Sequence, residues 1–328
     1  MPAPFISVIV PSFNQGRFIE RTLLSVLRQK YSGRFELIVS DGGSTDETVD
    51  ILKKYSDRIT WWSKKDKGFA DAVNKGVKAA KGEVLGIQSS DDFYLENTFE
   101  NIMSGFNAHG DAGFISGRDL GIDLEGRVLW ARRQSGKLTP KSVLLGPESI
   151  CQHASFIKRS LYERIGGLKT DIDMCADMDL WYRASYFQPG YFISSQVGVY
   201  QVQPAQRTQT SKRFYENLVR MVESCEASPE YAVISRLSPE EKRSLFLFWE
   251  IVYTLNYDKA AGTAIAKKNA GNIASLDKRT SALIAKYAKS PINYVRYLLK
   301  SGGFISAIAD KLYAKTSKAN LDWWKQAS

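Results

Sequence analysis

Two adjacent carboxylates, Asp91 and Asp92, stand with Ser89 and Ser90 directly after the apolar run Val84–Ile87. If that run is a buried strand, Ser90, Asp91 and Asp92 emerge at its C-terminal edge, where open α/β sheets bind ligands. Like charges crowded there repel each other, and a divalent cation that also holds phosphate oxygens offsets the repulsion. The competing account is an Asp-Asp turn that caps a helix over 95–106, since Asp and Ser favour turns and caps. Asp41 likewise follows an apolar run and precedes Gly42 and Gly43, which leave room for a planar ligand beside the carboxylate. Ser44 and Glu47 have the spacing of a capping box, with Asp46 adding charge to the first turn. Capping accounts for those three and leaves Asp41 over, so Asp41 reads as an acceptor for a nucleobase imino group. Pro11, Ser12, Phe13 and Asn14 follow the first strand on the same rim, where their backbone and Asn14 can hold the same ligand. Asp71 and Asn74 open a helix on that rim. For these two a helix cap and a surface residue are equally good accounts, and for Lys75 solvation is the default.

The elements that must position these residues alternate. Strand patterns over 5–10, 35–40, 59–63 and 84–88 are interleaved with helical periodicity over 18–29, 47–55 and 70–80. That alternation predicts an α/β fold with a parallel, wound sheet, and right-handed connections put every strand's C-terminal end on one rim. From about 110 to 205 the pattern is mixed, with strands over 113–116, 127–131 and 191–199 and helices over 160–165 and 180–186. Helical periodicity then takes over at 214–224, 238–257, 259–270 and 291–315, interrupted at Gly302-Gly303. The expected organisation is a catalytic domain over 1–210 and a basic, mainly helical region over 211–328.

Four segments occur in order: Ser7 to Asn14 (SVIVPSFN), Asp41 to Asp46 (DGGSTD), Asp71 to Gly76 (DAVNKG) and Ser90-Asp91-Asp92. Together they resemble the family 2 glycosyltransferases, which have a GT-A, Rossmann-like nucleotide-sugar fold, and the likeness spans about residues 5–205. The resemblance implies that Asp41 meets the nucleobase, that Asp92 is the metal ligand, and that Ser90 and Asp91 contact the ribose or support the metal. The implied cofactor is a divalent metal, Mn2+ or Mg2+. A fifth segment, Gly166-Gly167-Leu168 followed by Cys175 to Arg183, is similar to the family's catalytic-base region. Asp177 matches the aspartate that deprotonates the acceptor hydroxyl in an in-line, inverting displacement, while Asp179 reads as a capping residue and Arg183 as its partner or a surface residue. His153 matches a segment implied to touch acceptor or diphosphate, with a structural histidine as the equal alternative. Three departures stand out: Ala176 where Glu is common, and Gln201 and Gln203 where Arg and His are common. They leave a third metal ligand open and make Arg207 a candidate phosphate contact.

A hydrophobic content of 44% with mixed charge reads as globular rather than disordered, and three cysteines without a CxxC pair support neither a disulfide framework nor a zinc site. Cys151-x-His153 with Cys175 has poor spacing for zinc. The run over 5–10 is too short for a signal peptide, so a cytoplasmic location is expected. The net charge of +10 is concentrated at one end: residues 251–328 hold 13 Lys/Arg against 4 Asp/Glu. With Tyr294, Tyr297, Phe304, Trp323 and Trp324, that end suits peripheral contact with an anionic cytoplasmic membrane face, or plain helix packing. It carries no nucleic-acid module, so no nucleic-acid partner is expected. The expected partners are a nucleotide-diphosphate sugar donor, uridine diphosphate foremost, and a glycan or lipid-linked acceptor of bacterial surface polysaccharide. A nucleotidyltransferase and a non-catalytic nucleotide- or anionic-polymer-binding protein are the rival readings. Against the first stands the lack of a glycine-rich phosphate loop after the first strand; against the second, the combination of Asp41, Asp92 and Asp177.

Overall fold

The computed structural model describes residues 4–132, 135–145, 150–172, 174–203 and 211–228, with scattered positions beyond. Contacts divide the chain into two compact units at Pro204/Ala205. In the first unit, strands β1 (Ile6–Ser12), β2 (Phe35–Asp41), β3 (Thr60–Ser63) and β4 (Val84–Ile87) are parallel. Helices α1 (Gly16–Leu27), α2 (Thr48–Lys54) and α3 (Phe69–Ala79) connect them as the periodicity predicts. Even-numbered β1 residues Ile6, Val8 and Val10 join Ile19, Leu23 and Val26 of α1 in one core. On the other face α3 packs on β1 and β2, and Gly76 lies so close to Ile9 that a Cβ there would sit 2.4 Å from its methyl carbon.

Beyond β4 the sheet turns mixed. Its order is β3-β2-β1-β4-β9-β6-β10-β5, with β7 on β6 and β8 on β10. Strand β9 (Ser155–Lys158) is antiparallel to both β4 and β6 (Phe114–Ile122), whereas β10 (Gly190–Gln201) is parallel to β6. So the C-terminal ends of β4, β6 and β10 share a rim with the N-terminal end of β9. Pro11 fits this frame. It shares its parity with Ile9, whose carbonyl faces β4, and β4 ends at Ile87 opposite Ile9, so the N–H that proline lacks is not needed.

The helix expected over 95–106 begins later, as α4 (Thr98–Ala108), because Phe93–Tyr94 form β5 and pair with β10. The Asp-Asp turn therefore does not cap a helix; a strand intervenes. The strands β5, β7 (Val128–Ala131), β8 (Gly136–Leu138) and β9 are two to four residues long. Helices α5 (Pro140–Leu145), α6 (Arg159–Arg164) and α7 (Ala176–Phe187) complete this unit.

In the second unit α8 (Ser211–Ala227) covers the first of the expected C-terminal helices, burying Leu218, Met221, Val222 and Cys225. Of the spans expected over 238–257 and 259–270 only scattered residues are described, among them helical, buried Leu247 and Ile251. The span over 291–315, Arg207, Trp323 and Trp324 lie outside the described residues. Among the described residues no helix is long and apolar enough to cross a membrane.

Candidate active site

The rim is built from loops that hold each other. After β1, the Asn14 N–H donates to Ser44 Oγ (2.7 Å) and Asn14 Oδ1 accepts from the Thr45 N–H (2.8 Å). Gln15 N–H reaches Thr48 Oγ1 (2.8 Å), and Asp46 receives both Gly16 N–H (2.9 Å) and Thr48 N–H (3.0 Å). One carboxylate thus serves the first turns of α1 and α2. The capping box does not form: α2 starts at Thr48, after Glu47, which makes no side-chain cap, and Ser44 Oγ donates to Asp41 instead. Asn14 takes the left-handed backbone that asparagine tolerates (φ 53°), and Phe13 stands 59% exposed beside it.

Asp41 is fully buried at the end of β2. Its Oδ1 accepts from Ser44 Oγ; its Oδ2 accepts from Gly43 N–H, Ser44 N–H and Ser63 Oγ. A carboxylate has about four acceptor positions, so the loop itself accounts for this residue, which the sequence pattern had left over. Asp71 accepts from the Lys67 N–H and pairs with Lys75 at 2.8 Å, and that hydrogen bond to Lys75 holds its carboxyl below the usual range. Asn74 faces elsewhere. Its Nδ2 donates to Leu168 O, and its Oδ1 accepts from Leu168 N–H and Tyr162 OH. The amide fastens the Gly166-Gly167-Leu168 turn, where both glycines adopt positive φ and a Cβ on Gly167 would lie 2.6 Å from Asn74 Oδ1.

The Asp91-Asp92 turn is pinned from two sides. Thr22 of α1 donates its hydroxyl to Ser90 O (3.0 Å) and Asp92 O (2.6 Å). At the end of β10 the Gln201 N–H donates to Asp92 Oδ1 (2.9 Å), and two residues past the strand Gln203 Nε2 donates to Asp91 Oδ2 (2.6 Å). Arg21, stacked on Phe93, ties Gln201 Oε1 to the same turn. At the departures, Gln203 thus meets Asp91 with its side chain, whereas Gln201 meets Asp92 through its backbone N–H and gives its side chain to Arg21 and the Asp123 carbonyl. His153 enters because its short 3-10 turn precedes the antiparallel β9: Nδ1 lies 3.8 Å from Asp92 Oδ2 and Nε2 3.4 Å from Asp119 Oδ2. Burial pulls the His153 pKa down, but Asp119 and Asp92 outweigh it and the net shift is upward.

Burial first, and then the neighbouring Asp91, push Asp92 up to about 8. Asp91 is raised too, by burial. A folded-state pKa above the unfolded one means that the unfolded chain releases this proton first. Without divalent ions, the stability contributed by Asp92 therefore falls as pH rises from about 4 to about 8, by up to ~1.4 kcal/mol per pH unit. Urea melts at about pH 5 and about pH 8 should show this loss, and Asp92→Asn should flatten it. An unchanged slope in the variant would mean that Asp92 is not the group responsible. The pair offers hard oxygen donors whose ionisation burial and mutual repulsion resist, and a divalent cation would offset both, so its chemistry fits such an ion. Asp119, Cys151 and His153 also bring ligand atoms within 4.8 Å of one another. There, however, a guanidinium takes the cation's place, with Arg132 Nη1 on Cys151 Sγ and Nε 3.8 Å from Asp119 Oδ1.

Asp177 lies in the first turn of α7, half-buried, with its carboxyl pushed up by burial against the opposing Met178 N–H and His153. Helix α7 leads into β10, which starts at the opposite edge of the sheet, so the first turn of α7 lies toward the rim where β10 ends. Asp179 does not cap the helix. It is buried and bound by Arg183 Nε (2.8 Å) and by Lys169 Nζ (3.6 Å). Arg183, 1% exposed, also donates to the carbonyls of Ile165 and Gly167.

This ordered set of rim motifs has counterparts. The model for "Glycosyl transferase family 2" matches residues 7–166. An uncharacterized glycosyltransferase of Mycobacterium tuberculosis is 33% identical over 190 residues, 56% of this chain and 70% of that protein. The chain belongs to glycosyl transferase family 2. A PGL/p-HBAD biosynthesis glycosyltransferase of Mycobacterium bovis is 31% identical over 184 residues, 55% and 69% of the two chains. In fold, this family 2 glycosyltransferase is similar to S. aureus TarS 1–349, solved in complex with UDP (TM-score 0.59, 17% identity, 90% and 91% covered). It is also similar to the mannosyltransferase PcManGT of Pyrobaculum calidifontis, solved with GDP-Man and Mn2+ (TM-score 0.57, 20% identity, 95% and 88% covered). Both likenesses support the GT-A fold. Arg21, Asp119 and Arg132 were missed from the sequence of this glycosyltransferase. Asp119 left one trace, a carboxylate next to Arg118 between Gly117 and Gly121 in a mainly apolar strand.

Proposed function

We propose that this glycosyltransferase is metal-dependent and inverting, and moves a sugar from a nucleotide-diphosphate donor, uridine diphosphate foremost, to a hydroxyl of a glycan or lipid-linked saccharide. The observation that carries this reading is the crowded Asp91-Asp92 pair at the same end of the sheet as His153 and Asp177. The zipped loop of Pro11, Phe13 and Asn14 takes the nucleobase, with the exposed Phe13 ring as a stacking face, while Asp41, its acceptor positions filled by the loop, fixes that site from beneath. Asp71 lies along the same donor rim, and Ser90 and Asp91 face the ribose. Asn74 contributes by fixing the Gly166–Leu168 turn rather than by touching the donor. A divalent Mn2+ or Mg2+ would be held by Asp92 and would stabilise the charge that develops on the leaving diphosphate. Asp177 takes the proton of the acceptor hydroxyl, and a carboxylate raised by burial suits that task at neutral pH. His153 orients Asp92 and meets the diphosphate or acceptor. In this reading residues 211–328 form the acceptor- or membrane-contact region at the cytoplasmic face, in surface polysaccharide synthesis.

Isothermal titration of the purified protein with UDP, GDP and dTDP, with Mn2+ or Mg2+ and then with EDTA, tests it. The expected result is micromolar, metal-dependent binding of one nucleotide, about −8 kcal/mol. A folded protein that binds none of them, with or without metal, would refute the donor assignment.

A further inference from the structure

Just past β3 stands a carboxylate that neither the fold nor the rim described above uses in full. From Lys64 the chain runs over the end of β2. The Lys64 N–H donates to Asp41 O (2.9 Å), and Lys65 and Asp66 then lie against Gly43 and Gly42. Asp66, half-buried, closes a short turn, its Oδ1 accepting the Gly68 N–H (2.8 Å) where α3 begins. Its Oδ2 leans across Gly42, 2.8 Å from where a Cβ on that glycine would stand. Gly42 has no positive φ, so the close approach, and not the backbone angle, is what a side chain there would spoil. Among the described residues nothing donates to Asp66 Oδ2.

The surroundings of that oxygen follow from backbone contacts. The Gly42 N–H donates to the carbonyl of the Ser12–Phe13 peptide (2.8 Å). One glycine therefore adjoins both the peptide that leads into exposed Phe13 and the Asp66 carboxylate. Asp41, next in the chain, has its acceptor positions filled by Gly43, Ser44 and Ser63. Of these two carboxylates only Asp66 keeps an oxygen to offer. A carboxylate oxygen accepts and does not donate. It discriminates accordingly: an N–H facing it gains a charge-assisted hydrogen bond, and a ring-nitrogen lone pair is repelled.

We propose that Asp66 selects the nucleobase of the donor, accepting a ring N–H through Oδ2, and so restricts the donor to bases that carry one. Uracil, thymine and guanine present such an imino group; cytosine and adenine present a bare ring nitrogen at the corresponding edge. The inference rests on the nucleotide-sugar reading above and assigns the choice of base within it. Asp41 shapes the loop, and Asp66 selects the base.

Isothermal titration of the full chain in Mn2+ tests it on two matched pairs, UDP against CDP and GDP against ADP. Ring size is the same within each pair, and the first member alone has the ring N–H. The pair that binds more tightly should favour its N–H member by about tenfold, the weight of one hydrogen bond to a charged group. Asp66→Asn should close that gap to within about threefold. The amide keeps its oxygen for the Gly68 N–H and turns Nδ2 toward the base, so the N–H member loses and the other gains. Gly42→Ala is the second variant. Its Cβ forces Oδ2 aside while the carboxylate stays, and the gap should narrow there too. A gap that survives Asp66→Asn, including one in which both members weaken by the same factor, makes Asp66 a structural residue and overturns the proposal. Equal affinity within both pairs in the unmodified protein overturns it as well; in either case the transferase reading stands. A folded, unmodified protein that binds none of the four nucleotides overturns the donor reading itself and this proposal with it.

Discussion

Asp177→Asn should reduce sugar transfer by about 10²–10⁴-fold, the usual weight of a positioned general base, while the affinity for nucleotide stays within about twofold of the unmodified protein. The asparagine keeps the volume of the side chain at the first turn of α7 and removes only its ability to take a proton. Because burial raises the Asp177 carboxyl, the ionised form that acts as base accumulates as pH rises. The rate in the unmodified protein should therefore climb with pH through that raised value, and the residual rate in Asp177→Asn should lose this limb. Asp92→Ala should show the converse pattern, with metal-dependent nucleotide binding weakened first. If both variants lost nucleotide binding equally, the division between a donor-side Asp92 and an acceptor-side Asp177 would be wrong.

Arg183→Met should cost about 3 kcal/mol of unfolding free energy, the low end of what removing one partner of a buried ion pair costs. Among the described residues of this unit the arginine is the largest charged side chain sealed from solvent, and it satisfies Asp179 and two turn carbonyls at once. Lys169, still 3.6 Å from Asp179, limits the loss. Denaturant melts give the magnitude, and the double variant Asp179→Leu/Arg183→Met should recover part of it, since no charge is then stranded. A single variant as stable as the parent would show that the pair is idle. The effect also reaches the site, because Arg183 and Asn74 grip opposite ends of the Gly166–Leu168 turn that leads into α7 and Asp177.

The parallel half of the sheet was legible because each of its strands is an apolar run followed by a helical period, and because β1, β2 and β4 end in residues that break the pattern: Asn14, Asp41 and Asp91. The short antiparallel pieces were not. Ser155–Lys158 has four residues with a polar one at each end, too little for a period of two to be seen, yet this strand brings His153 to the rim. Long-range pairing escaped for the same reason. Nothing local in Asp119 signals that it meets Arg132 and His153, and nothing in Gln201 or Gln203 signals that they serve Asp92 and Asp91. Local capping rules also misplaced Ser44 and Glu47, because a half-buried carboxylate thirty residues from the start of α1 outcompeted the box: Asp46 is shared by two helices.

With the nucleobase placed on this rim as proposed above, that sharing bears on how donor choice can be altered. The stretches 13–16 and 44–48 are stitched to one another by Asn14, Ser44, Asp46 and Thr48, so neither has a conformation of its own to transplant. Exchanging one for a homologous loop would strand its stitches and unseat the starts of two helices together. The two segments are a single exchangeable cassette, and any recombination of this rim has to cut outside both.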